Sequence, residues 1–212
     1  MAPKVTLHYF NLRGRAEPIR WILAYSGEDW TDHRIEFSEW PAVKSIPPFG
    51  QLPYIEIEGQ TPLAQAYAIM RYLATQYGLA GADEWEAGEI DALADYAAEA
   101  NTVLRPYAGA MMAKDEKKAQ QIADEITETT IKPFLEKYEK TLQNNQLQSG
   151  GEFLVGNKPS WVDFVVVQLM DETLRLKSDL LEQHPLLKGL CERVHNLDGI
   201  KDFLETRPDT PL

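Results

Sequence analysis

A single cysteine in 212 residues, Cys191, excludes an internal disulfide and any dithiol redox pair. Its neighbours Leu187, Leu190 and Val194 recur at helical spacing, which puts the thiol on an apolar face as a buried structural group. Positive charge is scarce too: 21 basic residues stand against 33 acidic ones, and the formal charge of −12 repels phosphate backbones and anionic lipid. Nucleic acid and membrane are therefore excluded as main partners. No apolar run reaches the length of a membrane span, and the opening segment from Val5 to Phe10 is too short and polar for a secretory signal, so a cytoplasmic protein is expected. Glycine-rich phosphate loops of the GxGxxG and GxxxxGK types and the GxSxG nucleophile turn are missing. The four histidines, His8, His33, His184 and His195, are scattered without metal-ligand spacing, so no metal site is expected.

What is present is a chain with 44% hydrophobic residues, enough for a full core, whose periodicity changes part-way along. Val5, Leu7 and Tyr9 alternate as on a strand, and Ile19, Ile22, Leu23 and Ser26 recur as on a helix. A strand over His33 to Phe37 follows, then a loop with Pro41, Pro47, Pro48 and Gly50, a strand from Pro53 to Ile57, a turn at Glu58-Gly59, a short strand from Thr61 to Leu63 and a helix from Gln65 to Tyr77. Residues 1–80 thus read as an α/β domain of order βαβ-ββα. Residues 84–212 read as an all-α domain, with helices over Glu84–Ala113, Lys117–Leu142, Ser160–Leu174, Pro185–His195 and Ile200–Glu205. Pro106 and Pro133 fall inside the two longest helices and predict kinks there. Ser160 and Asp163, three apart before an apolar run, predict a reciprocal helix cap with a folding role.

Two backbone features of the first domain suit a small peptide with a free carboxylate. Leu52-Pro53 opens a strand, and a cis bond there would turn the N–H and C=O of Leu52 outward, ready to pair with an extended ligand. Gln65-Ala66 begins a helix, whose N–H groups and positive dipole end attract an anion. With these in view, the segments Tyr9-Phe10-Asn11-Leu12-Arg13-Gly14-Arg15-Ala16-Glu17, Trp40-Pro41, Pro48-Phe49-Gly50-Gln51-Leu52-Pro53, Ala68-Ile69-Met70-Arg71-Tyr72-Leu73 and Ser160-Trp161-Val162-Asp163-Phe164 resemble the sigma class of cytosolic glutathione transferases, in family order from about Lys4 to Arg207-Pro208.

The resemblance implies a thioredoxin-like N-terminal domain, an all-helical C-terminal domain and a homodimer that uses glutathione as co-substrate and needs no other cofactor. It implies that Tyr9 is the catalytic tyrosine and Arg15 its neighbour, that Trp40 and Lys44 hold the glycine end of glutathione, and that Leu52 pairs with the cysteinyl unit beside Gly50, Gln51 and Pro53. Gln65 and Ala66 would receive the γ-glutamyl end, and Glu99 would reach glutathione bound to the other subunit. The electrophile would meet Phe10, Leu12, Arg15, Val103, Tyr107 and Leu212. Ala66 replaces the serine usual in the family. Pro106 and Ala98 replace a tryptophan and a metal-binding aspartate of the prostaglandin-isomerising members, so neither that activity nor metal activation is implied. Sigma-class relatives also include crystallins with little activity, and a crystallin-like or ligand-carrying protein is the alternative. Retention of Tyr9, Arg15, Trp40, Lys44 and Gln65 favours the enzyme, a transferase of detoxification type that conjugates glutathione to hydrophobic electrophiles.

Overall fold

The computed structural model describes residues 4–210, which divide into two compact units, one of residues up to Gly78 together with those from His195 onward, the other Leu79–Val194. The first contains β1 (Val5–Phe10), a 3₁₀ turn at Gly14–Ala16, α1 (Glu17–Ser26), β2 (Trp30–Ile35), the short α2 (Trp40–Val43), β3 (Tyr54–Ile57), β4 (Leu63–Ala64) and α3 (Ala66–Tyr77). The strands form one mixed sheet of order β2-β1-β3-β4, in which β1 runs parallel to β2 and antiparallel to β3. Parallel pairing of β1 and β2 needs a crossover, and α1 supplies it. The apolar residues of α1 (Ile19, Ile22, Leu23) and α3 (Ile69, Met70, Leu73) are buried, as are Leu7 and Ile55, which are partners in the β1–β3 register. This is the thioredoxin-like βαβ-ββα arrangement expected.

Several boundaries differ from the pattern-based ones. β2 begins at Trp30 and stops at Ile35, because its whole length pairs with β1, from Val5↔Trp30 to Phe10↔Ile35. Beyond it Glu36 turns the chain: its N–H donates to Glu39 Oε2 at 2.9 Å, and its carbonyl accepts from Trp40 N–H at 3.2 Å. The last segment also departs from expectation, since residues from His195 belong with the first unit and not with the helices that precede them. There α9 (Ile200–Thr206) lies on α1 so closely that a Cβ on Gly199 would sit 2.2 Å from the Ala24 carbonyl oxygen. His195 meets Trp21 edge-on at 5.7 Å, and Phe203 packs on Trp30 at 6.1 Å.

The second unit is helical: α4 (Glu84–Met112), α5 (Glu116–Ile126), a π-helical turn at Thr127–Ile131, α6 (Lys132–Ser149), α7 (Trp161–Leu176) and most of α8 (Pro185–His195). The long helix predicted over Lys117–Leu142 is broken by that π turn. Pro133 cannot donate, and its ring crowds the carbonyl four residues back, so the turn before it widens, with Lys132 N–H reaching Thr127 O, and Pro133 falls in the first turn of α6. Pro106, by contrast, lies inside α4, which continues to Met112. Cys191 is buried, and burial pushes its thiol up to about 12, which leaves it protonated and inert. No helix among the described residues is long and apolar enough to cross a membrane.

At the start of α7 the predicted capping box is present, and it is completely buried. Asp163 Oδ2 accepts from Ser160 N–H and Oγ–H, both at 2.8 Å, while Oδ1 accepts from Leu154 N–H at 2.9 Å. Burial nevertheless outweighs these donors and raises the carboxyl from 3.8 to about 6. An acid whose folded pKa is raised contributes most below the unfolded value, and that contribution is lost as pH climbs from about 4 to 6. Urea unfolding of wild type and Asp163→Asn across this range should therefore show a stability difference, wild type minus variant, that falls by up to about 3 kcal/mol and is flat above pH 7. A difference that grows with pH would show that the three donors dominate.

Candidate active site

The first unit gathers Tyr9, Arg15, Trp40 and the residues around Leu52-Pro53 and Gln65 on one compact body. Tyr9 lies near the C-terminal end of β1 and is only 8% exposed. Its hydroxyl oxygen accepts the backbone N–H of Arg15 at 3.3 Å, across the turn that leads into α1. A phenol oxygen that accepts an N–H is polarised, and its own proton becomes a stronger donor. The turn has to come very close to bring that amide in. Gly14, at φ +42°, makes this possible: a Cβ there would lie 2.8 Å from Tyr9 Oη and 2.7 Å from Leu12 Cδ1. The Arg15 side chain itself is exposed.

Aromatic contacts extend from Tyr9 to α2. Tyr9 lies 5.8 Å from Phe10, which stacks on Phe37 at 4.6 Å and meets Trp40 edge-on at 5.5 Å. Lys44 caps the C-terminal end of α2 and is exposed. Gly50 closes the next turn at φ +59°, donating its N–H to Pro47 O at 3.0 Å, with space for no more than ordinary contact between a Cβ and Lys44 O at 3.5 Å. Gln51 is exposed and Leu52 half-buried, and the Leu52–Pro53 bond is cis. At the far edge of the sheet Gln65 holds φ 76°, ψ 113°, a strained conformation for a non-glycine residue, and no side chain caps the helix that begins at the buried Ala66. Three of the predicted residues belong to the second unit: Glu99, Val103 and Tyr107 follow one another at four-residue spacing along one stripe of α4, Glu99 exposed and the other two half-buried. Leu212 lies outside the described residues.

The other face of the sheet brings together two histidines that are far apart in sequence. His8 and His33 are register partners, and their Nδ1 atoms approach to 2.7 Å, so one donates and the other accepts. His8 Nε2 contacts Glu56 Oε2 at 3.1 Å, and its ring stacks on Tyr54 at 4.2 Å. Burial lowers its pKa, Glu56 opposes this and His33 reinforces it.

Sequence reasoning passed over Gly14 and a buried ionic cluster beneath the Tyr9 turn. Arg20 is 0% exposed and Glu17 1%, and Arg20 Nη1 donates to Glu17 Oε2 at 3.1 Å. Arg20 Nε donates to both Asp32 oxygens at 3.1 Å, Asp32 also accepts from Arg34 Nε at 2.8 Å, and Arg207 from the C-terminal end of α9 bonds Glu17 Oε1. The available signal was a charged pair at i, i+3 within the otherwise apolar run Pro18-Ile19-Arg20-Trp21-Ile22-Leu23, since charges are almost never buried unless paired.

Comparison with known proteins agrees with this architecture. Residues 5–75 match the family "Glutathione S-transferase, N-terminal domain", and residues 101–207 match "Glutathione S-transferase, C-terminal domain". The chain is 39% identical to probable glutathione S-transferase 7 of Caenorhabditis elegans, covering 96% of this chain and 97% of that protein. It is 37% identical to hematopoietic prostaglandin D synthase of Homo sapiens, over 99% of this chain and 100% of that one. Monomeric Na-GST-3, a glutathione S-transferase from the hookworm Necator americanus, has a crystal structure that superposes with a TM-score of 0.86 at 30% identity, over 99% of this chain and 100% of that one. A thioredoxin-like unit followed by a helical one, matched along nearly the whole length, defines the class: the chain belongs to the glutathione S-transferase family and is a glutathione transferase.

Gly14 offers a direct probe of the geometry around Tyr9. Gly14→Ala adds a Cβ at positive φ and against the phenol oxygen, so it should lower stability by roughly 1 kcal/mol or more and, on the role proposed for Tyr9 below, lower turnover about tenfold or more by displacing the hydroxyl. Thermal unfolding and kcat/KM with an aryl halide check both, and unchanged turnover would mean that the Tyr9 hydroxyl can shift freely.

Proposed function

We propose that this glutathione transferase activates glutathione through Tyr9, whose hydroxyl donates a hydrogen bond to the sulfur and holds it as thiolate. The thiolate then attacks an electrophilic carbon of a hydrophobic small molecule: a C–S bond forms, and the leaving group departs with its electron pair. The thiol proton goes to solvent. The observation that carries this reading is the nearly buried Tyr9 hydroxyl polarised by Arg15 N–H at 3.3 Å. The magnitudes agree. Lowering a free thiol from about 8.5 by about two units takes roughly 2.7 kcal/mol, and a hydrogen bond to a charged group contributes about 1.5–3 kcal/mol.

The rest of the glutathione assignment follows the peptide. Its γ-glutamyl carboxylate lies at the uncapped start of α3, at Gln65 and the backbone N–H of Ala66, where the free amides and dipole favour an anion. The cysteinyl unit pairs with the backbone of Leu52 beside Gly50, Gln51 and Pro53, and the glycine carboxylate meets Trp40 and Lys44. Arg15 adds positive charge near the sulfur. Phe10 and Leu12, with Val103 and Tyr107, are the apolar side chains assigned to the electrophile. The 37% identity to hematopoietic prostaglandin D synthase supports a place in the sigma class.

Tyr9→Phe tests the mechanism, because it removes the hydroxyl and keeps the ring. Glutathione affinity and fold should remain close to wild type, turnover at pH 6.5 should fall at least tenfold, and the deficit should shrink at high pH, where the thiol ionises unaided. Full activity of the variant at pH 6.5 would end the assignment.

Glu99 is assigned across subunits, to the amine of glutathione bound by the partner, so the active form is a C₂ homodimer with two equivalent sites. Na-GST-3, a relative of the same fold, is monomeric, so assembly has to be measured for this chain. Sedimentation equilibrium at assay concentration should give a dimer, and Glu99→Gln should raise KM for glutathione with kcat nearly unchanged. An active monomer would remove Glu99 from the site.

A further inference from the structure

Burying a guanidinium away from water is costly unless its donors are satisfied. Arg20 is wholly buried, and its partners are unusual for a structural ion pair. Besides Glu17 and Asp32, its Nη1 donates to two backbone carbonyls, Leu12 O at 2.8 Å and Arg13 O at 3.3 Å. Those carbonyls belong to the turn that joins Tyr9 on β1 to Arg15 at the 3₁₀ turn. The same guanidinium carbon lies 5.9 Å from the centroid of the Tyr9 ring, within the range of a cation–π contact. Its Nη2 is buried without a hydrogen-bond partner, a cost that ideal structural pairing would avoid.

The guanidinium is itself held on both sides. Asp32 on β2 receives Nε and is shared with Arg34, whose Nη1 continues to Asn11 Oδ1 at 3.2 Å, at the start of the same turn. Glu17 receives Nη1 at one oxygen, while its other oxygen takes Trp21 Nε1 at 3.3 Å and Arg207 from the end of α9. Arg13 is tied to Asp209 at 3.4 Å, so a second link joins the turn to the C-terminal segment. Every bond in this chain lies within the first unit.

From this geometry we propose that Arg20 is the positioning residue of the thiol site: it fixes the Leu12-Arg13 turn and thereby the Arg15 N–H on Tyr9 Oη, with Glu17, Asp32 and the distant Arg207 fixing Arg20. This inference rests on the role proposed for Tyr9. The planar fork is essential to it. Lysine would keep the charge but could not span Asp32, Glu17 and two carbonyls at once.

The test is a pH titration of protein-bound glutathione, followed by ultraviolet absorbance of the thiolate, with turnover measured alongside. Tyr9→Phe should raise the apparent thiol pKa. Arg20→Lys should raise it by roughly half a unit or more, about a threefold loss of thiolate at pH values well below that pKa, with kcat lowered at pH 6.5 and recovering at high pH. Arg207→Gln should shift it less, in the same direction, and it keeps the experiment decisive if Arg20→Lys does not fold. In the Tyr9→Phe background, Arg20→Lys should add almost nothing. Glu139→Gln weakens the cap on α8, where Leu186 and Leu187 N–H donate to the carboxylate, and serves as a matched loss of stability that should leave the thiol pKa alone. A wild-type thiol pKa in both Arg20→Lys and Arg207→Gln, or an Arg20→Lys shift that adds fully to that of Tyr9→Phe, would overturn the proposal while leaving Tyr9 in its role. An unshifted Tyr9→Phe would overturn both.

Discussion

Much of the first unit is organised around one buried positive charge. The Arg20 guanidinium draws Asp32 of β2, Glu17 of α1 and the carbonyls after β1 to a single point, and Glu17 in turn draws in Arg207 of α9. Breaking such a group leaves an uncompensated charge in the interior, which costs several times more than losing an exposed pair. The strand–turn–helix segment that carries Tyr9 is therefore held by a constraint with little tolerance, which is what the role proposed for its hydroxyl requires.

The two ends of the proposed glutathione path handle backbone geometry differently. Near Tyr9 a positive φ is taken by glycine, where the missing Cβ also admits the phenol oxygen. At Gln65 the positive φ falls on a residue with a full side chain, and such conformations persist only where the surrounding structure enforces them. The strain at Gln65 turns the chain from β4 directly into α3 and leaves the first amides of the helix without a side-chain cap.

The sequence made much of this visible, because its clearest signals are local. The alternation in Val5, Leu7 and Tyr9, the helical spacing after Pro18 and the Ser160/Asp163 pair each depend on a few neighbouring residues, and the corresponding elements appear close to their expected places. Tyr9 and Arg15 stand in one short motif, and the hydrogen bond between them is a short-range one. What escaped depends on distant partners. His8 and His33 look unrelated until the β1–β2 register sets them side by side. Arg20 looks like a surface arginine on a helix until Asp32 and Arg207 arrive from elsewhere in the chain. The start of β2 was misplaced because parallel pairing with β1, and not the strand's own weak alternation, decides where it begins.

The first unit is discontinuous in sequence, with the whole helical unit inserted between Gly78 and His195. On a ribosome, domains generally fold in order of emergence. Here the residues up to Gly78 emerge long before the segment that packs on Ala24 and Trp21 and brings Arg207 to Glu17. During synthesis of the helical unit, the early part of the chain carries an exposed face of α1 and a Glu17 carboxylate that has Arg20 and Trp21 but not yet Arg207, and it reaches its final form only when the segment from His195 is in place. The sheet-bearing unit thus begins to form before the helical unit that interrupts it and is completed after it.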